Sequence, residues 1–426
     1  MAMNDSYLTR VITDQKSVVE ELMSKPSIID REFSILIKKE IDKSHITVLT
    51  GIRRSGKSTS ALLAVKNTSY VYINFDDPAL YGFSIQDFKV LDEVISKLKP
   101  SYIILDEIQN VSGWEMYVSY IKSNKRYLIT GSNSNLLSSE FSSKLTGRYI
   151  AYNIFPFSFS EFLKYKNIEV NQYLTEDIAK TKEYLSEYIE LGGFPESYDL
   201  GRRYSLQLFN DILIKDVENR FKIKKYTMQF REMSKYLMLN TGNEISYSKL
   251  ARIFKIGSSN TIKKYFSLLE SAYLVWHLDK FSTKFKESYL SPKKIYSIDT
   301  AISISMGVDK NLDKGRLLET LIAIELQRRK SYISPELNIY YWKNYLQHEV
   351  DFVIAKGKKV EQLIQVCYSL ENEDTKNREI RSLLAASKEL KCSNLYILNW
   401  DREDTVKIEG SEIKIIPVWK WLLFPD

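Results

Sequence analysis

The chain has 426 residues, 44% of them hydrophobic and 27% charged, with a net charge of +7. That length exceeds one ordinary core, so two or three domains are expected; the composition excludes a disordered or fibrous chain, and the charge permits nucleic-acid binding without requiring it. Two cysteines, Cys367 and Cys392, and 3 histidines exclude a disulfide framework and a His-based metal centre. No apolar run reaches the roughly 18 residues of a membrane helix, and the polar opening MAMNDSYLTR carries no secretory pattern. The expected location is the cytoplasm, with no membrane partner.

From the N-terminus, the short runs ITVLT (46–50), YVYINF (70–75), YIILDEI (102–108), YLITGS (127–132) and YIAYNIF (149–155) read as buried strands of a mostly parallel sheet. Helical patterns lie between them, such as IQDFKVLDEVISKLK (85–99), with apolar residues at three- and four-residue steps. An α/β unit of three layers is expected, the setting in which phosphate-binding loops occur.

Between the first strand and the helix after it lies GIRRSGKSTS. Gly51 to Ser58 match the phosphate-loop spacing G-x-x-x-x-G-K-[ST] in full. The glycines let the backbone turn so that successive N–H groups point into one concavity, and the following helix favours phosphate charge at its N-terminus. Gly51, Arg53, Arg54, Ser55, Gly56, Lys57, Ser58 and Thr59 form the expected nucleotide-binding set. Within it, Lys57 reaches the β- and γ-phosphates and the Ser58 hydroxyl coordinates Mg²⁺.

Hydrolysis further needs an acid near the metal and a group that orients the attacking water. Asp106 and Glu107 cap the apolar run YIILDEI; Asp106 is the candidate for the metal shell and Glu107 for polarising water. The next strand ends in TGSNSN (130–135), where Ser132 or Asn133 is placed to meet the γ-phosphate or the water, although the same residues suit an ordinary polar turn. Arg148, in LTGRY, is a candidate arginine finger within the chain or across a subunit contact.

After FPFSFSEFL (155–163), helical patterns run to about residue 240, broken by LGGFPES (191–197). Then ISYSKLARIFKIGSSNTIKKYFSLLESAYLVWHL (245–278) reads as helix, tight turn, helix and strand, with Gly257 permitting the turn and Ser258 or Ser259 capping the second helix. The second helix carries Asn260, Lys263 and Lys264 on one side and Ile262, Phe266 and Leu269 on the other. This segment resembles a winged-helix module, which implies double-stranded DNA contact through Asn260, Lys263 and Lys264; an internal packing module with solvated lysines is the alternative.

From LLETLIAIELQRRK (317–330) onward, a helix precedes the β-like runs IYYWK, EVDFVIA, LIQVCYS, NLYILNW and EIKIIPVW, a second α/β unit. Glu319, Glu349 and Asp351 with LIQVCYS are similar to the metal site of the PD-(D/E)XK nuclease fold. Glu349 and Asp351, two apart on a strand, share a face. Where that pattern needs Glu and Lys, this chain has Gln365 and Cys367, so a nuclease-like fold without cleavage activity is expected. Lys356, Lys358 and Lys359 are the nearby lysines.

Taken in order, GIRRSGKST, INFDDP, LDEIQNVSGWE, LTGSNSNLLS, LTGRY, FPFSFSEFL, LGGFPE, LLET and HEVDFVI resemble a family of archaeal and bacterial AAA+ ATPases with a C-terminal domain known as DUF4143. The resemblance implies ATP and Mg²⁺ as ligands, with Lys57, Ser58, Asp106 and Glu107 as their residues and Asn133 and Arg148 as catalytic partners. It implies an AAA+ domain at 1–165, a helical region at 166–300 holding the winged-helix-like module (about 245–290), and the nuclease-like domain at 301–426. Two functions fit: an ATPase working on or with nucleic acid, or a slow nucleotide-gated switch that signals to a protein partner or another copy of the chain. An ATP-regulated nuclease is the third and least supported.

Overall fold

A computed structural model describes residues 3–121, 125–133, 148–307, 313–408 and 410–424. Ser134 and Asn135 of the TGSNSN cluster and the first three residues of LTGRY lie outside them. Contacts divide the chain into the units Met1–Pro156 and Phe157–Asp426.

In the first unit, β1 (Ile46–Thr50), β2 (Tyr70–Asn74), β3 (Tyr102–Asp106), β4 (Arg126–Gly131) and β5 (Tyr149–Asn153) form one sheet in the order β2-β3-β4-β1-β5. Every pairing is parallel. β1 is buried along its whole length, which is why it reads as an unbroken apolar run rather than an alternation. The helix Phe88–Leu98 buries Phe88, Leu91, Val94 and Ile95, a stripe at helical spacing; the 3-10 turn Ile85–Asp87, closed by a Ser84–Asp87 capping box, precedes it. That stripe joins Ile46, Val48, Ile103, Leu105 and Ile129 in one core, which Leu8, Val11 and Ile12 of the helix Asp5–Met23 complete. With β4 inserted between β1 and β3, the C-terminal ends of these three strands gather at one edge, where ligands of such sheets bind.

In the second unit, the helices Phe159–Tyr165, Thr175–Leu191, Arg202–Asp211 and Thr227–Leu239 fill the region up to about residue 240. The break LGGFPES has a physical cause. Gly192 has φ +75°, a Cβ there would lie 2.2 Å from Asp299 Oδ1, and the Gly193 N–H donates to Asp299 Oδ2 at 2.7 Å. Asp299 also caps the helix Thr300–Met306, accepting from Ala301 N and Ile302 N. One buried carboxylate thus joins a loop to a helix start a hundred residues later in the chain.

The helices Tyr247–Ile253 and Ser259–Ser271 lie between β6 (Glu244–Ile245) and β7 (Val275–Leu278), which flank β8 (Lys293–Ser297) in an antiparallel sheet of order β6-β8-β7. Ser258 caps the second helix, accepting from Thr261 N at 3.2 Å. The turn differs from the expectation in one respect: the positive φ falls on Lys255 (+51°), while Gly257 stands against the Tyr226 hydroxyl.

The last sheet contains β9 (Leu337–Lys343), β10 (Glu349–Lys356), β11 (Lys359–Val366), β12 (Leu395–Asn399), β13 (Asp404–Ile408) and β14 (Ser411–Pro417), in the order β13-β14-β12-β11-β10-β9. The helix Lys314–Tyr332 covers one face, where Leu318 and Ile322 meet Phe352, Ile354 and Ile364. The helix Glu373–Leu390 covers the other, where Ile380 and Leu383 meet Val353, Leu363 and Ile397. A bulge interrupts the β9–β10 register between Val350 and Val353, freeing the backbone around Asp351 from the ladder. Among the described residues, no helix is long and apolar enough to cross a membrane.

Candidate nucleotide site

β1 ends at Thr50, and the chain turns at once into the loop expected to hold phosphate. Gly51 has φ +142° and a Cβ there would lie 2.2 Å from Ile154 O, so the loop can leave the sheet only through glycine. Gly56, at φ +85°, opens the helix Lys57–Ala64, and a Cβ there would meet Arg31 Nη1 at 2.8 Å. Arg31 is buried and donates to Ser55 O and to Phe155 O, each at 2.9 Å. It fastens the loop to the chain leaving β5. Lys57 Nζ donates to Ile52 O at 3.0 Å and is 4% exposed. Arg53 and Thr59 are half-buried, Arg54 is exposed with φ +69°, and the buried Ser55 hydroxyl has no hydrogen-bond partner among the described residues.

The acid expected beside the metal is under this loop. Ser58 Oγ donates to Asp106 Oδ1 at 2.7 Å and the Tyr72 hydroxyl donates to Asp106 Oδ2 at 2.6 Å. Thr130 Oγ1 also donates to Asp106 Oδ1 and accepts from Glu107 N at 3.1 Å. Burial, and then the Glu107 charge, push the Asp106 carboxyl up, against the pull of those three hydroxyls. A divalent cation would reverse that balance by favouring the ionised form. Glu107 is half-buried with φ +52°, a left-handed conformation uncommon for this residue, and its carboxylate accepts from the Gln109 side chain. Ser132 and Asn133 are buried at the end of β4, on the same sheet edge, and Ser132 Oγ has no hydrogen-bond partner among the described residues.

Arg148 requires a correction. It is exposed at the start of β5, beside Tyr149, whose register partner is Ile46 at the far end of β1 from the loop. A five-residue strand separates the two ends by about 16 Å, so Arg148 is not brought to its own phosphate loop. A finger within the same chain does not form because parallel pairing points the start of β5 away from the site; a contact across a subunit boundary is unaffected.

Asn260, Lys263 and Lys264 are exposed together on the helix Ser259–Ser271, while Ile262, Phe266 and Leu269 are buried. Lys263 Nζ donates to the Tyr289 hydroxyl at 2.6 Å and lies over that ring.

The acids of the C-terminal region do come together, around a partner the sequence did not single out. Lys294 Nζ on β8 lies 2.8 Å from each of Glu319 Oε1, Glu349 Oε1 and Asp351 Oδ1. The Tyr296 hydroxyl donates to Glu319 Oε1 at 2.7 Å, and Val366 N donates to Asp351 Oδ2 at 2.9 Å. Burial alone would lower the Lys294 ammonium, but the surrounding acids outweigh it and hold its pKa well above the ordinary lysine value. Burial, then Asp351, raises Glu319. Gln365 accepts from Asp351 N and donates to Glu379 Oε2 at 2.7 Å, while Cys367 is buried in the core. Lys356, Lys358 and Lys359 are exposed, Lys356 pairing with Glu336 and Lys359 with Glu361. No lysine of that set reaches the acids.

A protein of Methanocaldococcus jannaschii, the uncharacterized MJ1544, is 35% identical over 425 residues, covering 95% of this chain and 93% of the relative. Family models match residues 43–163 as an AAA domain, 182–313 as domain of unknown function DUF8612 and 314–421 as domain of unknown function DUF4143. The chain belongs to the AAA–DUF4143 family. A Haemophilus influenzae member, also uncharacterized, is 27% identical over 94% of this chain and 100% of its own length. Among solved structures, the Walker-type ATPase PABY2304 of Pyrococcus abyssi is similar, with TM-score 0.45 and 14% identity over 66% of this chain and 96% of that one. The Aeropyrum pernix ORC1 protein in complex with DNA gives TM-score 0.32 and 13% identity over 66% and 94%. The mixed α/β fold expected for an AAA–DUF4143 chain is present, with a parallel sheet in the AAA region and a separate sheet in the DUF4143 region.

Four residues of this AAA–DUF4143 chain escaped the sequence reading: Arg31, Tyr72, Thr130 and Lys294. Tyr72 and Thr130 sit inside strand runs, where a polar atom is hidden by apolar neighbours. Only the strand order, which sets β2 and β4 on either side of β3, marks them as neighbours of Asp106.

Proposed function

We propose that this chain binds ATP at Gly51–Thr59 and hydrolyses it with Mg²⁺, acting on or with double-stranded DNA. The observation that carries the reading is the Ser58–Asp106 contact of 2.7 Å beneath a phosphate loop held open by Gly51, Gly56 and Arg31. The Ser55 hydroxyl, without a hydrogen-bond partner among the described residues, fits the same ligand, because a phosphate oxygen would complete its hydrogen bonding. Mg²⁺, held by Ser58 and Asp106, would supply neutralisation of charge on the β- and γ-phosphates. Lys57 exchanges Ile52 O for a phosphate oxygen, Glu107 leaves Gln109 to polarise the attacking water, and Thr130 fixes both acids by holding the Asp106 side chain and the Glu107 backbone. Asn133 orients the water or the γ-phosphate, and Arg148 serves a neighbouring copy. Asn260, Lys263 and Lys264 are the proposed DNA contacts, Lys263 by releasing Tyr289.

ATP turnover with Mg²⁺ for the wild type, Lys57→Ala and Glu107→Gln, with and without duplex DNA, tests this. Turnover in the wild type alone, stimulated by DNA, is the expected result. A rate that stays slow whatever DNA is added, with Glu107→Gln still binding ATP, would favour the second reading, a nucleotide-gated switch signalling to a protein partner. The ammonium seated among the DUF4143 acids favours that second reading to this extent: the region would then act by binding, without nuclease activity.

A further inference from the structure

Three carboxylates from two elements aim at one point. Glu319 comes from the helix Lys314–Tyr332 and Glu349 and Asp351 from β10. The point they share is Lys294 Nζ, 2.8 Å from one oxygen of each. An ammonium has three N–H donors; here it donates to Glu349 Oε1 and Asp351 Oδ1, and Glu319 Oε1 completes the ring of charge at ion-pair distance. The remaining demand is met around the rim: Tyr296 donates to Glu319, Val366 N to Asp351, and Lys343 reaches Glu349 Oε2 at 3.3 Å. Like charges so close repel unless a cation sits between them. Oxygen-only donor sets of this kind otherwise suit a hard divalent ion. Here the cation is part of the chain, on a strand outside the DUF4143 match, and it is 3% exposed.

We propose that Lys294 is a built-in cation occupying the place of a divalent ion, so that the acid cluster fastens β8 to the DUF4143 sheet and becomes a divalent-metal site only when the ammonium is removed. A bordering cavity of about 420 Å³, lined by His348, Glu349, Asp351, Gln365 and Arg378 among others, gives an entering ion access to two of the acids. The cluster is therefore a latch in this chain, with the chemistry of a metal centre held in reserve.

Bound Mn²⁺, counted by electron paramagnetic resonance on the full-length, nucleotide-free chain, tests the proposal. Wild type, Lys294→Met and Lys294→Met with Asp351→Asn are compared. Any Mn²⁺ at the phosphate loop is common to all three and cancels. Lys294→Met is expected to bind one Mn²⁺ more than the wild type and to lose it again with Asp351→Asn. A folded Lys294→Met chain that binds no more than the wild type would overturn the proposal. If Lys294→Met does not fold in metal-free buffer, Mn²⁺ is expected to restore a cooperative melting transition, since a divalent ion can replace the lost charge. Failure of that rescue also overturns it.

Discussion

Tyr72 donates to Asp106 from the neighbouring strand, and removing that one oxygen isolates what the hydrogen bond does. Tyr72→Phe keeps the ring and leaves a buried carboxylate with two hydroxyl donors instead of three. A hydrogen bond to a charged group contributes about 1.5–3 kcal/mol, so urea unfolding of the first unit should show a loss of that order. A variant as stable as the wild type would show that Ser58 and Thr130 hold Asp106 unaided. Asp299 makes a prediction about pH. Burial pushes its carboxyl up to about 6, against the pull of the Gly193, Ile302 and Ala301 N–H groups. The native chain therefore holds this proton more tightly than the unfolded chain does. The resulting stability is full below the unfolded carboxylate range, near pH 4, and is lost as pH rises through about 6. Between pH 4 and 7 the wild type should lose about 2–3 kcal/mol from this group that Asp299→Asn does not lose. Parallel stability profiles for the two chains would refute it.

The elements that were legible in the sequence are those whose burial leaves a simple pattern. β1 and β3 are covered on both faces and read as apolar runs, and the turn from β1 into the helix Lys57–Ala64 announces itself by glycine spacing. β13 was not legible: DTVKI alternates half-buried and exposed residues at the edge of its sheet, and only its pairing with β14 makes it a strand. Lys294 was hidden for another reason. It lies 25 positions before Glu319 and 57 before Asp351 in the sequence, and a lysine in KKIYS carries no sign that three acids will fold around it. Arg31 belongs to the same class, since it ties the loop to the chain leaving β5 through two carbonyl oxygens, of Ser55 and Phe155, that no motif records. Arg31→Met should strand those carbonyls in a buried place, at a cost of about 1–3 kcal/mol, and loosen the loop. The check is a paired one: unfolding free energy, and affinity for a fluorescent ATP analogue. Unchanged affinity would mean that the loop is shaped by its glycines alone.

At the scale of the whole molecule, the two units carry separate cores. The phosphate-loop lysine can then be tested without disturbing the rest. Lys57→Ala should abolish ATP turnover while the unfolding transition of Phe157–Asp426 stays where it is in the wild type, as followed by hydrogen exchange. A shift of that transition without nucleotide present would show that the loop's integrity matters to the second unit's stability. The first unit's strand order bears on its biosynthesis as well. β1 emerges first from the ribosome, yet its two neighbours, β4 and β5, are the last strands of the unit to be made. At ordinary translation rates the gap between β1 and β5 is on the order of 5–20 s. Until β4 is made, which is most of that interval, the strand that leads into the loop has no partner on either side. The nascent unit must keep an apolar segment from wrong pairings until the strands that cover it have been made.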